Sequence, residues 1–221
     1  MTFVALAVVV ALITAFTWWR FHFFHRNPPR IPPPGEDVLC PADGRIVYVE
    51  DVDLTADPRN PYHQRVRAAF SVDGRWTVVA TYLSIFDVHF VRSPIAGRVR
   101  LHHVAPVSKN LSMGGSFLYA ALRRPLPLGR RDYTEKNEFL GVSVEGDGLR
   151  VLLVLMADWW IDQIVTLVED GEHVERGQLL GKIQMGSQVD LWAPAGELTG
   201  IPEPSVAVRA GETVIGMRTP T

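Results

Sequence analysis

The stretch Gly171-Glu-His-Val-Glu-Arg-Gly-Gln-Leu-Leu-Gly181 recurs in altered form as Val206-Ala-Val-Arg-Ala-Gly-Glu-Thr-Val-Ile-Gly216. Each copy has a valine, two spacer residues, a glycine, an apolar pair and a second glycine. A second related pair is formed by Pro41-Ala-Asp-Gly-Arg-Ile46 and Pro94-Ile-Ala-Gly-Arg-Val99. This order of turn, short strand and turn is typical of biotinyl/lipoyl-type β-barrels, in which two similar halves close a small sandwich. The repeats therefore predict a mostly β fold, but they indicate no activity.

Short apolar stretches rich in β-branched residues predict further strands around the repeats. These stretches cover residues 38–40, 45–52, 64–72, 76–83, 97–103, 140–144, 149–156 and 161–168. Asp73-Gly74 predicts a hairpin turn between the third and fourth of these strands, and Glu145-Gly-Asp-Gly148 predicts another turn. Residues 105–137 have no regular pattern and predict a long loop region, which in a compact domain is more often functional than accidental.

The N-terminal segment differs in composition from the rest of the chain. Residues 2–19 carry no charge, and as a helix they would extend over about 27 Å, close to the thickness of the hydrocarbon core of a bilayer. Because Arg20, Arg26 and Arg30 follow this segment, the positive-inside rule predicts a cell-membrane anchor whose following domain faces the cytoplasm. A signal peptide is the alternative, although no basic residue precedes the apolar stretch.

The composition limits the class of protein. With 47% hydrophobic and 21% charged residues among 221, the chain resembles an ordered globular protein with room for one good core. A net charge of −2 excludes a global basic field for nucleic acid, and a single cysteine, Cys40, excludes an internal disulfide and a cysteine-rich zinc site. We expect an anchor at 1–26, a stiff proline-rich linker at 27–37 that lifts the domain off the membrane, and a β domain at 38–221.

The dipeptide Gly186-Ser187 lies between two apolar, β-like stretches. In a strained turn the serine hydroxyl can attack the carbonyl of the preceding residue, because glycine has no Cβ to block the approach. The amide becomes an ester, and β-elimination then breaks the chain and leaves a dehydroalanine that hydrolyses to a pyruvoyl group. By itself the dipeptide is a weak signal, since most Gly-Ser pairs are ordinary turns.

Four blocks of sequence, in this order, resemble the short, archaeal-type phosphatidylserine decarboxylase proenzymes, and the resemblance covers nearly the whole chain. The blocks are Phe23-Phe-His-Arg-Asn-Pro-Pro-Arg-Ile-Pro32, Cys40-Pro-Ala-Asp-Gly-Arg-Ile46, Phe86-Asp-Val-His-Phe-Val-Arg-Ser-Pro-Ile-Ala-Gly-Arg-Val99 and Met185-Gly-Ser-Gln-Val-Asp-Leu-Trp-Ala-Pro194. Three departures concern the substrate pocket: Met185 replaces the family's usual aromatic residue, Met156-Ala-Asp-Trp-Trp160 replaces a smaller, glycine-containing segment, and the stretch Leu111-Ser-Met-Gly-Gly-Ser116 is atypical.

The resemblance implies a self-cleaving, pyruvoyl-dependent lyase. Cleavage between Gly186 and Ser187 would give a β chain of residues 1–186 and an α chain of residues 187–221, with a covalent pyruvoyl group made from Ser187. This group would form a Schiff base with the amine of phosphatidylserine in the membrane, and loss of CO2 would yield phosphatidylethanolamine. The family chemistry needs no metal and no pyridoxal phosphate.

Cleavage also requires a base for the Ser187 hydroxyl and a group that holds this base. The resemblance assigns Asp87 to the self-processing machinery. On a strand, Asp87 and His89 would share one face, since they are two positions apart, and His89 could then act as the base. The sequence leaves open that His89 only stabilises its loop.

Three further residues are candidates for substrate binding. His102 and His103 are adjacent, so on a strand they face opposite ways and one of them could reach the site as a proton donor. Arg92 could meet the lipid phosphate, although flanking arginines are usually solvated.

Two other classes of protein share parts of this pattern. A non-enzymatic, membrane-anchored adaptor can join one helix to a lipoyl-like barrel, but such adaptors need long heptad hairpins that this sequence lacks. A serine hydrolase would need a Gly-x-Ser-x-Gly elbow, which does not surround Ser187. The expected partners are therefore the membrane lipid and the two chains of one precursor. Nucleic acid is not expected, and the sequence leaves a homo-oligomer open.

Overall fold

The computed structural model describes residues 2–55, 59–158, 164–183 and 187–218. The chain begins with helix α1 (Thr2–Trp18), which continues into a π-helical turn (Trp19–Phe23). The resulting helix, Phe3–Phe23, is exposed, and it is long and apolar enough to cross a membrane by length and composition. This agrees with the predicted N-terminal membrane helix.

The described residues after α1 fold into short helices and fourteen strands. The strands are β1 (Val38–Leu39), β2 (Gly44–Asp53), β3 (Arg75–Leu83), β4 (Phe90–Arg92), β5 (Gly97–Val104), β6 (Phe139–Gly146), β7 (Leu149–Ala157), β8 (Ile164–Thr166), β9 (His173–Val174), β10 (Leu179–Ile183), β11 (Ser187–Pro194), β12 (Leu198–Thr199), β13 (Ala207–Val208) and β14 (Val214–Arg218). The helices are α2 (Pro61–Phe70), α3 (Gly114–Ala121) and α4 (Asp132–Lys136), with a 3-10 turn at Leu128–Arg130.

These strands form three antiparallel sheets. The largest has the order β13-β2-β3-β11-β7-β6-β5-β9, and the two smaller ones have the orders β1-β14-β12 and β4-β10-β8. The large sheet is buried on both faces: one face packs with the small sheets in a first core cluster, and the other packs with the helices in a second. The predicted mostly β fold is confirmed. The predicted turn at residues 145–148 is confirmed as well, since β6 and β7 pair up to it.

The two sequence repeats adopt the same local structure. Each contains a two-residue strand, then a glycine with positive φ (83° at Gly177, 72° at Gly211), then a five-residue strand. The peptide N–H of Gly177 donates to the carbonyl of Ser93 (2.8 Å), and that of Gly211 donates to the carbonyl of Cys40 (2.9 Å). Because Ser93 and Cys40 each precede one of the related Pro-x-x-Gly blocks, equivalent bonds join the repeats to those blocks.

Residues 64–72 were expected to form a strand, and this prediction is wrong because they belong largely to α2. The side chain of Asn60 caps the helix by accepting from the backbone N–H at position 62 (2.8 Å), and Pro61 occupies the first turn. The buried side chains recur every four residues: Tyr62, Val66 and Phe70. Asp73-Gly74 therefore joins a helix to β3. The long region 105–137 also contains short helices, α3 and α4.

The proline-rich segment 27–37 lies against the β domain. Arg30 forms ion pairs with Asp43 (2.7 Å) and Glu212 (2.9 Å), and its side chain is nearly buried. Arg176 donates to two carbonyls of the segment, at 2.7 Å each. Such bonds are available because an extended proline-rich backbone has no internal hydrogen bonds and leaves its carbonyls free. The segment is thus held by the β domain, and the expectation that it lifts the domain off the membrane stays a prediction.

Candidate active site

Ser187 is the first residue of β11 and is paired on both sides. It lies opposite Leu83 in β3 and opposite Ala157 in β7. Its side chain is fully buried, and its Oγ has no hydrogen-bond partner among the described residues. A buried hydroxyl without a partner costs about 1–3 kcal/mol, so such a group needs an explanation. Gly186, the other residue of the predicted cleavage site, lies outside the described residues.

His89 presents a neutral imidazole in the connection between β3 and β4. Its Nδ1 lies 3.0 Å from the carbonyl oxygen of Asp87. Because a carbonyl can only accept, Nδ1 carries the hydrogen and Nε2 is left as an acceptor. Nε2 is buried and has no partner within the described parts of the chain. Burial lowers the pKa of His89 to about 4; the Asp87 carbonyl opposes this shift, and nearby Arg26 and Lys182 add to it. The ring is therefore neutral at neutral pH and can accept a proton.

Asp87 shapes this connection with its carboxylate. Its Oδ2 accepts from the backbone N–H of Ser84 (2.8 Å) and from the Ser84 hydroxyl (2.6 Å), which closes a turn directly after β3. Asp87 and His89 both lie in the connection formed by residues 84–89, called the His89 turn below, which contains no strand residue, so the prediction that they share the face of a strand is wrong. The backbone carbonyl of Asp87, and not its carboxylate, orients the imidazole.

The His89 turn is bonded to the chain on both sides of Gly186. On one side, the backbone N–H of Ile183, the last residue of β10, donates to the His89 carbonyl at 3.0 Å. On the other side, Ser187 pairs with Leu83, the last residue before the turn. Residues 184–186 therefore connect two points that are anchored to the two ends of the same turn. This arrangement brings the imidazole and the Ser187 hydroxyl into one region of the protein.

The segment that follows the N-terminal helix forms part of the same region. The Phe24 ring is fully buried, and its centroid lies 4.3 Å from that of His89. Arg26 donates to the carbonyl of Phe86 in the turn at 2.5 Å, and Lys182 of β10 contacts the ring of His25. The sequence analysis did not predict these contacts, although the block that contains Phe24, His25 and Arg26 was part of the resemblance.

The structure does not bring His102 and His103 to Ser187. Both lie in β5, and the strand register leads from β5 through β6 and β7 to β11, which is three strand spacings or about 14 Å. As predicted, the two residues differ in environment: His102 packs on Phe70 with a centroid distance of 4.8 Å, and His103 is exposed.

Arg92, a predicted substrate-binding residue, forms hydrogen bonds with other parts of the protein. It donates to the carbonyl of Gly177 (2.9 Å) and to the side-chain oxygen of Asn27 (3.0 Å), so it joins β4 to the first copy of the repeat and to the proline-rich segment. Its guanidinium is thus engaged within the protein. Trp159 and Trp160, which end the segment that departs from the family's pattern, lie outside the described residues.

A buried polar network holds β11 from the face opposite to Ser187. The Oδ2 of Asp190 accepts from the hydroxyls of Tyr48 (2.7 Å) and Tyr62 (2.6 Å), and its Oδ1 accepts from the amide of Gln188 (2.7 Å). The amide oxygen of Gln188 accepts from the Tyr133 hydroxyl at 2.5 Å. Burial raises the pKa of Asp190 to about 6, and the three hydrogen bonds oppose this rise. Sequence reasoning missed this network; its signal was the alternation of Gln188 and Asp190 within an apolar strand.

A cavity of about 370 Å³ opens beside the Asp87 turn. Ser84 and Asp87 provide polar atoms, and the rings of Phe86 and Phe117 are largely exposed. The remaining lining residues are Gly44, Arg45, Tyr82, Ala120, Ala121 and Ala207. The cavity thus offers an apolar approach from the surface to the turn that carries His89.

The family model and the relatives that match this chain all belong to one family. Residues 18–216 match the family model described as phosphatidylserine decarboxylase. Relatives named phosphatidylserine decarboxylase proenzyme include that of Symbiobacterium thermophilum, 36% identical over 96% of this chain and 83% of the relative. That of Zymomonas mobilis subsp. mobilis is 31% identical (97% of this chain, 82% of the relative), and that of Burkholderia pseudomallei is 34% identical (88% and 82%). The chain therefore belongs to the phosphatidylserine decarboxylase family.

Proposed function

We propose that this decarboxylase acts on phosphatidylserine and that it makes its own pyruvoyl group from Ser187 by cutting the chain after Gly186. The observation that carries the proposal is the fully buried Ser187 hydroxyl at the start of β11, which has no partner among the described residues. It shares its region of the fold with the unpaired, neutral Nε2 of His89. A nucleophile and a base that are both buried and unpaired are what self-cleavage requires.

Self-cleavage proceeds in two chemical stages. In the first, Ser187 Oγ attacks the carbonyl carbon of Gly186 while His89 Nε2 takes the hydroxyl proton. The bond between this carbon and the nitrogen of residue 187 then breaks, and His89 passes the proton to the leaving nitrogen, so the amide becomes an ester and a free amine. In the second, the α proton of residue 187 is removed and its Cβ–Oγ bond breaks, which frees the carboxylate of the β chain. The dehydroalanine then takes up water and loses ammonia. Asp87 supports this chemistry as a positioning residue, since its carbonyl fixes the tautomer of His89.

The buried site favours decarboxylation in several ways. The pyruvoyl group supplies an electrophilic carbonyl that accepts the electron pair left behind when CO2 departs. Residue 187 is held between β3 and β7, so this chain end is fixed in position. The apolar neighbours of β11 exclude water, and the neutral His89 is able to hold and return a proton. The residues present thus fit the group.

The N-terminal segment brings the enzyme to its membrane-bound substrate. A two-chain lipid leaves the bilayer only at a high cost, about 0.8 kcal/mol for each CH2 that becomes exposed, so the enzyme has to reach the lipid. Residues 1–26 supply the anchor, and Arg20, Arg26 and Arg30, which follow its uncharged part, place the domain on the cytoplasmic side. The relatives give no support to the alternative of a non-enzymatic adaptor.

The mass of the purified protein tests this proposal. Wild-type protein is expected to give two chains, 1–186 and 187–221, and the smaller one should resist Edman degradation because a pyruvoyl group has no free amine. Ser187→Ala should remain one chain and release no CO2 from phosphatidylserine. Ser143→Ala, at another buried serine, is the matched control and should be cleaved normally. An intact wild-type chain with full decarboxylase activity would overturn the proposal.

A further inference from the structure

Three side chains that can carry positive charge meet where the membrane helix joins the β domain. Arg20 Nη1 contacts His25 Nε2, and Lys182 Nζ contacts His25 Nδ1. Among the described residues, no carboxylate forms an ion pair with Arg20 or Lys182. Arg30, ten residues further along the chain, is paired with two carboxylates. The cluster of Arg20, His25 and Lys182 is therefore positive, and no carboxylate in the described part of the chain balances it.

Hydrogen-bond counting leads to the same conclusion. A neutral imidazole accepts at one nitrogen only, because the other carries its hydrogen, yet His25 faces a donor at each nitrogen. Burial and the charges of Lys182 and Arg20 lower the pKa of His25, while burial and Arg20 lower the pKa of Lys182. An anion placed between these groups would accept from the surplus donors and oppose both shifts.

The position of the cluster indicates where this anion comes from. Arg20 directly follows Trp18 and Trp19 at the end of the apolar helix, which is the level of the lipid head groups in a membrane protein. Lys182 lies at the other side, one residue before Ile183, whose N–H is bonded to the His89 carbonyl. The cluster thus connects the head-group level with the candidate active site.

We propose that Arg20, His25 and Lys182 form a binding site for the phosphate of a phospholipid head group. The phosphodiester oxygens accept from the Arg20 guanidinium and the Lys182 ammonium group, and His25 donates from the nitrogen that carries its hydrogen. A phosphate held here leaves the serine part of the head group on the side of His89 and Ser187. The inference rests on the proposed function only in taking this lipid to be the substrate, since the phosphate contact itself requires no cleavage.

The test measures binding to a chain that cannot cleave or decarboxylate. Full-length protein with Ser187→Ala, in detergent, is titrated calorimetrically with dihexanoyl-phosphatidylserine below its micelle concentration. Adding Lys182→Gln should weaken binding about tenfold or more, as expected for the loss of a charge-assisted hydrogen bond. Lys182→Arg should largely restore affinity. Lys109→Gln, at an exposed lysine of the long loop, is the control and should bind like the parent chain.

A second pair of measurements separates the possible sources of phosphate. Inorganic phosphate, titrated alone, should bind far more weakly than the lipid and compete with it only in chains that keep Lys182. Lys182-dependent binding of inorganic phosphate without binding of the lipid would overturn the assignment to a head group. Equal lipid affinity in Lys182→Gln, Arg20→Gln and the control would overturn the site itself. If Lys182→Gln does not fold, as judged by circular dichroism, Arg20→Gln provides the same comparison.

Kinetics of the processed enzyme give an independent check. In mixed micelles, Lys182→Gln should raise KM for phosphatidylserine about tenfold and leave kcat within about twofold, since the lost contact is uniform in the ground and transition states. A fall in kcat at unchanged KM would contradict a binding role. If the wild-type protein proved inactive on phosphatidylserine, the proposed function would fail, while the calorimetric result would stand.

Discussion

The protonation of His89 gives the sharpest prediction, because it concerns how the proposed self-cleavage depends on pH. An ordinary histidine with a pKa of about 6.5 would be about 76% neutral at pH 7 and about 3% neutral at pH 5, so a rate that needs the free base would fall about 25-fold. Burial lowers the pKa of His89 to about 4. With that value the neutral fraction stays near 90% at pH 5, and the rate should change less than about twofold.

The assay follows conversion of the precursor on a gel. Precursor is made in a short cell-free pulse, transferred to buffers from pH 4 to pH 8, and sampled over time, with circular dichroism to confirm that it stays folded. His173→Gln, at an exposed histidine, is the control and should leave the profile unchanged, while His89→Gln should accumulate precursor. A tenfold or larger loss of rate between pH 7 and pH 5 in folded wild-type protein would refute the reasoning.

The lowered pKa of His89 also predicts how the stability of the fold depends on pH. The folded pKa of His89 lies below its ordinary value, so folding favours the neutral ring. The contribution to the free energy of unfolding is complete above about pH 6.5 and is lost as the pH falls through about 4. A decline in stability over that interval should therefore be smaller in His89→Gln than in the wild type.

Three further predictions concern the turn, the buried network and the anchor. Asp87→Ala removes the acceptor of both Ser84 bonds and should slow cleavage about 100-fold on gels, whereas Asp87→Asn keeps one acceptor oxygen and should lose less. Asp190 has a raised pKa, so its contribution to stability is lost as the pH rises through about 6. The melting temperature of Asp190→Asn, relative to the wild type, should thus increase between pH 4 and pH 7, and a constant difference would contradict this. A chain without residues 1–19 should still cleave itself but turn over vesicle lipid at least about tenfold more slowly, with partial recovery in micelles; equal turnover in vesicles would remove the anchor from substrate capture.

Local sequence patterns predicted much of the fold. The repeats place glycines at positions that require positive φ, and Gly177 and Gly211 do occupy such positions. The strand prediction for residues 64–72 failed because β-branched content and a following Asp-Gly pair outweighed the capping signal of Asn60 and Pro61. What makes α2 a helix is partly tertiary, since its buried residues pack against the large sheet.

The candidate site could be predicted only in part. Ser187, Asp87 and His89 were named from motifs, and the structure brings Ser187 and the His89 turn into one region. The contact between His25 and Lys182 joins residues 157 positions apart, and that between Phe24 and His89 is also non-local. A single sequence does not predict such contacts between distant residues, because they depend on how the end of the helix docks on the sheets. For the same reason it could not exclude His102 and His103.

The central position of β11 has a consequence for the life of the protein after a cut at residue 187. All eight residues of this strand pair with β3, so a cut at its first residue leaves the folded protein in place. Unfolding then becomes a one-way event, because an intact precursor refolds within one molecule, whereas two separated chains have to find each other in dilute solution. The working lifetime of the mature enzyme is accordingly set by how slowly it unfolds and not by an equilibrium. Activity lost on heating should stay lost on cooling, while the uncut Ser187→Ala chain should regain its fold.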